Sequence, residues 1–516
     1  MKNKTRLKNG LRLVIYGLMA LQIAMSFYLM VKSLNYIPSF GDTIEYLELS
    51  QSLAPDEYRP ILYPLFLRLM TGITEAHYHT LTYIIQTVAA LLAFFYALHV
   101  LNRRWEKPFG EGELWFFSLF GISIPIVTFM NMSVLTDSFA LSALLVMGAL
   151  LIECLVGDPG RFYWRWILVG LLYMVQALLR QDRLYSILIF VLLLVVGQLV
   201  RGIVRMKHHA TAEVSVCQPG DFPEDRVSEP AMSDRREKDT VITGDVPTHC
   251  SGIRKWLLTL VIPVLIMLLA FGTVRFIGSK TQEPGRHGRI TTNASLVLLD
   301  RIVWPHLAEH YEAMPEDIKH TISYEEAVTF DEHNNNVMYQ LAAIMYERVG
   351  KEQAEEMFTD MARVVWQRDK GCVIKDIVRD IAGFVFMPQR YGARVLGITT
   401  DKPRFGWNAQ CFYDSSRRGV IWTERYFSVV FALILFPLAA LVCLFSKMGR
   451  RRLFVLKPFL LITVLIGLWF AVGDGAPPNE RYEMIGYATG CFIMLAGLKE
   501  LKSPDIVPCG YCECPF

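Results

Sequence analysis

Charge is what this sequence has least of. Asp, Glu, Lys and Arg make up 20% of its 516 residues, where a water-soluble chain carries about 25%. Hydrophobic residues reach 53%, against about 45–50% in soluble domains. The charge that exists is clumped, with basic clusters between long stretches that hold none. This excludes a disordered chain, a fibrous one and a soluble multidomain enzyme. No internal repeat is visible. No small-residue cleavage site follows the first apolar segment, so it reads as a span rather than a removable signal peptide. What remains, with a mean hydropathy of +0.31, is a multi-pass membrane protein. The net charge of +3 says little, because the side on which each charge lies is what counts.

A helix needs roughly 20 apolar residues to cross the hydrocarbon core. Uncharged stretches of that order run Leu13–Val31, Ala76–Asn102, Leu114–Leu135, Leu184–Val200, Trp256–Val274 and Tyr426–Ser446. Shorter ones, Ser138–Ile152, Trp166–Leu179, Pro458–Gly473 and Met484–Leu498, read as spans with snorkelling ends. The expectation is an all-α polytopic protein with about ten transmembrane helices, since a lipid-exposed backbone must satisfy its own hydrogen bonds. Lys2, Lys4, Arg6, Lys8 and Arg12 precede the first span and put the N-terminus in the cytoplasm. Every later cluster falls on the same side: Arg103–Lys107, Arg161 and Arg165, Arg201–Lys255, Lys447–Lys457, and Lys499 with Lys502. Both termini are therefore expected inside. Pro60–Ala76 is apolar, but it is short and contains Arg68. Counting it as a span would invert every later cluster, so it reads as an interfacial helix on the outer leaflet.

This divides the chain into residues 1–277, a membrane domain of seven spans; 278–424, an outer soluble segment; 425–502, the last three spans; and 503–516, a cytoplasmic tail. The cytoplasmic stretch 208–251 is rich in Pro, Ser, Glu and Asp and reads as a disordered linker. In the outer segment, Lys351–Arg368 and Cys372–Phe386 repeat apolar residues at helical spacing, which predicts a mostly helical outer domain. Only Cys372 and Cys411 of the ten cysteines fall outside, where a disulfide can persist. Joined, they would contribute roughly 4 kcal/mol in the chain-entropy picture; two separate thiols are the equal alternative. The tail CGYCECPF has one C-x-x-C but no second pair or histidine nearby to complete a zinc site.

The outer rim of the spans collects ionisable groups that the membrane otherwise excludes. In the first outer loop, 32–75, Asp42, Glu45 and Tyr46 share a face of a short helix. By spacing alone, Asp42 or Thr43 reads as the cap of an acidic surface helix. The order of motifs adds to this. Gly41-Asp42-Thr43-x-x-Tyr46-Leu, then Arg59-Pro60-x-x-Tyr63-Pro64-Leu, resembles the first outer loop of the GT-C superfamily of integral-membrane glycosyltransferases. The similarity is to the dolichyl-phosphate-mannose protein mannosyltransferase-like branch. Thr136-Asp137-Ser138 at the fourth span, Leu179-Arg180-Gln-Asp182-Arg183 between spans five and six, and Arg481-Tyr482 at the last span follow in the family's order. The sequence departs from it in carrying Arg-Gln for Arg-Pro and Asp42-Thr43 for Asp-Glu.

The resemblance implies transfer of a sugar from a polyprenyl-phosphate donor to an acceptor hydroxyl on a glycan, lipid or protein at the outer face of a bacterial cell envelope. A lipid phosphate leaves without an acid, its second pKa lying near 6, so one carboxylate suffices as base. The resemblance gives Asp42 that role, with inversion at the sugar carbon. Glu45, Tyr46, Arg59, Tyr63, Asp137, Arg180, Arg183, Arg481 and Tyr482 become substrate-binding candidates, the arginines for phosphate. Asp137 reads equally as a second acid or as the cap of its helix. No metal ligand and no cofactor is assigned, and a divalent metal stays open because some family members use one. His306 and His310, at i and i+4, have a spacing that can hold one, and scattered surface histidines are the simpler reading. Membrane lipids are expected partners and nucleic acid is not. The alternative function is a transporter or flippase of a lipid-linked glycan, which would need ionisable groups at mid-membrane; Gln86 and Gln176 are the main polar residues there. A non-catalytic assembly partner that kept the fold is a third reading.

Overall fold

The fold is seen in a computed structural model that describes residues 2–33, 41–54, 59–105, 109–156, 163–180, 185, 187–197, 200, 249–281, 298–303, 306–332, 337–386, 419, 422–473 and 484–502. Every regular element among them is helical. Each of the ten uncharged stretches read from the sequence holds a helix. Six are long and apolar enough to cross a membrane: Arg6–Lys32, Tyr78–Arg104, Asp137–Leu155, Val261–Thr281, Trp422–Phe445 and Met484–Leu501. Leu62–Ile73, Trp164–Leu179, Ile187–Gly197 and Lys457–Leu468 are shorter apolar helices.

The first half runs α1 (Lys2–Ser33), α2 (Gly41–Ser52), α3 (Leu62–Ile73), α4 (Tyr78–Arg104), α5 (Glu111–Ile122), α6 (Pro125–Met132), α7 (Asp137–Val156) and α8 (Tyr163–Leu179). α4 packs on α7 and α5, and α7 on α8. The continuous span expected over Leu114–Leu135 is instead two helices, α5 and α6, bent by 73°. Pro125 opens α6 without an N–H to give, so carbonyls at the bend need other donors. α1 supplies them: Gln22 and Ser26 donate to the Ser123 carbonyl at 2.8 and 2.7 Å. Thr128 donates to the Ile122 carbonyl at 2.9 Å. Broken helices are tolerated at membrane depth only where protein groups take over the freed backbone in this way.

Among the described residues two hydrophobic cores form. The first gathers the apolar helices from both ends of the chain. The C-terminal helix, Met484–Lys502, approaches its neighbours through glycine: a Cβ on Gly490 would lie 2.3 Å from the Phe436 ring. Small residues permit such close crossings in lipid, where apolar burial alone gives no drive. The second core lies within residues 299–373. Its spine is Lys351–Arg368, whose buried Ala354, Met357, Phe358, Met361, Ala362 and Val365 form one stripe at three- and four-residue steps. The following helix, Lys370–Phe386, packs against Lys457–Gly473 of the first core.

Candidate functional site

Around α2, α3 and the start of α7 the structure brings together most of the described sequence candidates. Arg59 donates to Glu45 at 2.8 Å through Nε and places its guanidinium 5.3 Å from the Tyr46 ring centre. Tyr46 meets Tyr63 edge-on, with ring centres 5.1 Å apart. Tyr63 is fully buried and donates its hydroxyl to Gln86 Oε1 at 2.8 Å. Thr43 donates to the Val134 carbonyl at 3.3 Å, which ties the first turn of α2 to the chain just before Asp137. Asp42 is the second residue of α2, but its side chain lies outside the described residues. So do Arg183, Arg481 and Tyr482, and with them Asp182 and Cys411; Cys372 is a free thiol.

Asp137 and Arg180 form an ion pair between the start of α7 and the end of α8. Asp137 is wholly buried and the Arg180 side chain is 10% exposed. Asp137 is the first residue of α7, and its carboxylate faces a cation. A buried pair seldom stabilises more than apolar residues of the same volume would, so its presence here calls for another reason.

Two residues that the sequence did not single out for the site join these groups. Gln86, from α4, donates to the carbonyls of Met130, Asn131 and Ser133 at 3.3, 3.0 and 2.9 Å. One amide thus closes the end of α6 and holds Tyr63. Asn131 accepts from Ser138 at 2.5 Å, while its buried Nδ2 has no hydrogen-bond partner. Asn131 heads an Asn-Met-Ser sequon, yet it is fully buried and could not receive a glycan. A polar residue inside an otherwise apolar run was the available signal for both, but it does not tell which carbonyl the amide will reach.

Beside this polar cluster lies a cavity of about 590 Å³ between α3, α4, α7 and α8. Tyr63, Phe66, Leu92, Phe139, Val146 and Leu179 contribute to its almost wholly apolar wall. Its lining runs along α7 from Phe139 to Val146, seven steps or about 10 Å at 1.5 Å per residue. Leu92 is exposed, so the cavity wall reaches the protein surface. Tyr63 lines the cavity and also bonds Gln86, while Phe139 and Leu179 lie close in sequence to Asp137 and Arg180. No protein family, curated protein or solved structure matches this chain.

Proposed function

We propose that the protein is a membrane glycosyltransferase that takes a sugar from a polyprenyl-phosphate donor, with inversion, and passes it to an acceptor hydroxyl at the outer face. The observation that carries this is an apolar cavity ending beside a cluster of tyrosines, carboxylates and arginines. That pairing suits an isoprenoid tail joined to a sugar phosphate: hydrocarbon burial at one end, charge-assisted bonds to phosphate at the other. Ten spans with both termini inside complete the reading, counting α5 and α6 as one broken span.

In this mechanism the Asp42 carboxylate takes the proton of the acceptor hydroxyl as its oxygen bonds to the sugar carbon. The bond from that carbon to the phosphate oxygen breaks with its electron pair going to the lipid phosphate. Arg180 and Arg59 are assigned to hold the departing charge, and Tyr46 and Tyr63 to flank the sugar. The mid-helix amides support transfer over transport. Gln22, Gln86 and Gln176 each donate to a backbone carbonyl, which makes them structural rather than a path for substrate.

The test is mass spectrometry of lipid-linked and acceptor products after the full chain, in membranes, is supplied with labelled polyprenyl-phosphate sugars. The expected result is a new covalent product that is lost in Asp42→Asn while expression and melting are kept. Full activity of Asp42→Asn would remove the assignment, and movement of label across sealed vesicles without a new product would favour transport.

A further inference from the structure

Away from the tyrosine and arginine cluster, the second core carries a group of side chains with metal-ligand chemistry. His306 stands just before the short helix Leu307–His310. Cys372 and Asp376 lie at i and i+4 on Lys370–Phe386, and therefore on one face. One ligand atom from each of the three lies within 4.8 Å of the others. Leu307 and Val373, next in sequence to His306 and Cys372, are buried in the second core, so both ligand-bearing elements are anchored by packing.

We propose that His306, Cys372 and Asp376 form a transition-metal site suited to Zn2+. His306 is only 5% exposed, and its buried Nε2 makes no hydrogen bond although Asp376 Oδ2 is 3.2 Å away. Close approach without hydrogen-bond geometry is what two ligands aimed at a common ion show. With Zn–N and Zn–O bonds of about 2.0–2.1 Å, a tetrahedral edge is about 3.3 Å, close to the observed separation. Imidazole and thiolate favour zinc-class ions, whereas Mg2+ and Ca2+ prefer all-oxygen sets. A neutral imidazole, a thiolate and a carboxylate balance the two charges of the ion. Three protein ligands leave one tetrahedral position for water or an incoming ligand.

The surroundings favour a cation. The carboxylates of Asp369 and Glu309 add negative charge near Cys372, opposed by Lys375. An adjoining set of Glu309, His310 and Asp369 also meets the spacing. Its Glu309 is exposed, so it holds an ion less firmly than the set that includes buried His306.

The experiment uses the full chain in detergent, loaded with Zn2+, desalted and analysed for metal by mass spectrometry, with Co2+ loading for spectroscopy. The expected result is about one zinc per chain, as one three-ligand site holds one ion. A thiolate-to-cobalt charge-transfer band is expected as well. Cys372→Ser abolishes the band and weakens zinc binding more than about tenfold, and Asp376→Asn weakens binding while keeping side-chain size. Circular dichroism and melting of the zinc-free wild type provide the folding reference for both variants. The proposal is overturned if the wild type retains no more zinc than His306→Ala/Cys372→Ser. It is also overturned if zinc is lost in His310→Ala but kept in Cys372→Ser, or if peptide mapping of the zinc-loaded protein finds Cys372 joined to Cys411. None of these readouts depends on sugar transfer.

Discussion

Replacing Arg180 with Gln removes the guanidinium that faces the wholly buried Asp137 carboxylate. Losing one member of a buried pair costs about 3–5 kcal/mol, because the remaining ion keeps its desolvation penalty without its counter-charge. At about 2.1 cal/mol/K of unfolding entropy per residue, 1 kcal/mol over 516 residues corresponds to about 1 °C. Arg180→Gln should therefore melt about 3–5 °C lower in detergent, followed by intrinsic fluorescence. The double variant Asp137→Asn/Arg180→Gln removes both charges and should recover most of that loss. Sugar transfer should stay low in the single and double variants alike, if the pair is retained to meet phosphate rather than to stabilise the fold. A single variant that melts with the wild type would refute the buried-pair argument. A double variant with restored activity would refute the functional one.

Two further outcomes follow from groups on either side of that pair. In the cavity wall, Val146→Trp fills space that the proposed donor tail would occupy; with about 0.8 kcal/mol per displaced methylene, KM for a long-chain donor should rise roughly tenfold or more, while a donor with a truncated tail is little affected, and equal KM values for both donors would count against tail binding. In the second core, Arg348 grips Glu326 with both nitrogens, at 2.9 and 2.6 Å, and with the Ser323 backbone N–H this holds the Glu326 carboxyl down at about 2. The stabilisation is present above the ordinary carboxylate range near 4.5 and is lost as pH falls towards about 2. Both side chains are partly exposed, so screening leaves on the order of 1 kcal/mol. Glu326→Gln should then speed amide exchange of Tyr324–Glu332 about fivefold at neutral pH, with the difference vanishing in strong acid; unchanged exchange at neutral pH would contradict the assignment.

The helices were legible because an uncharged run of about 20 residues has the length of a membrane helix, roughly twice that of a barrel strand. The buried stripe of Lys351–Arg368 was legible for the same local reason, its period being that of one helix face. The capping box of Ser323 and Glu326, with paired contacts of 2.9 and 3.2 Å, also follows a local spacing. The bend at Pro125 was less so. Proline in an apolar stretch marks a weak point, but whether the helix continues depends on donors from elsewhere, here Gln22 and Ser26 of α1, about a hundred residues away in sequence. The partner of Asp137 was hidden likewise: nothing local in the sequence pairs it with an arginine, and packing of α7 on α8 brings Arg180 to it. The burial of His306 escaped notice because two histidines one turn apart look the same on a wet surface and against a core.

Gln86 shows why a polar residue deep in a span need not lie on a substrate path. The end of α6 leaves carbonyls that no following turn of helix can reach, and in a membrane interior each bare carbonyl is costly. A primary amide has two N–H donors and one acceptor on a single planar group, so one side chain can serve a break and still reach outward. Here the donors turn to the carbonyls of residues 130–133 and the acceptor to Tyr63. The break also turns the chain back so that Asp137 begins α7 close to α2, through the Thr43 contact with Val134. A leucine at position 86 would suit an unbroken span better, but it would free Tyr63 and those carbonyls together. The amide therefore belongs to the device that assembles the polar cluster at the cavity's end, and that role accounts for it without any ion or sugar crossing the membrane.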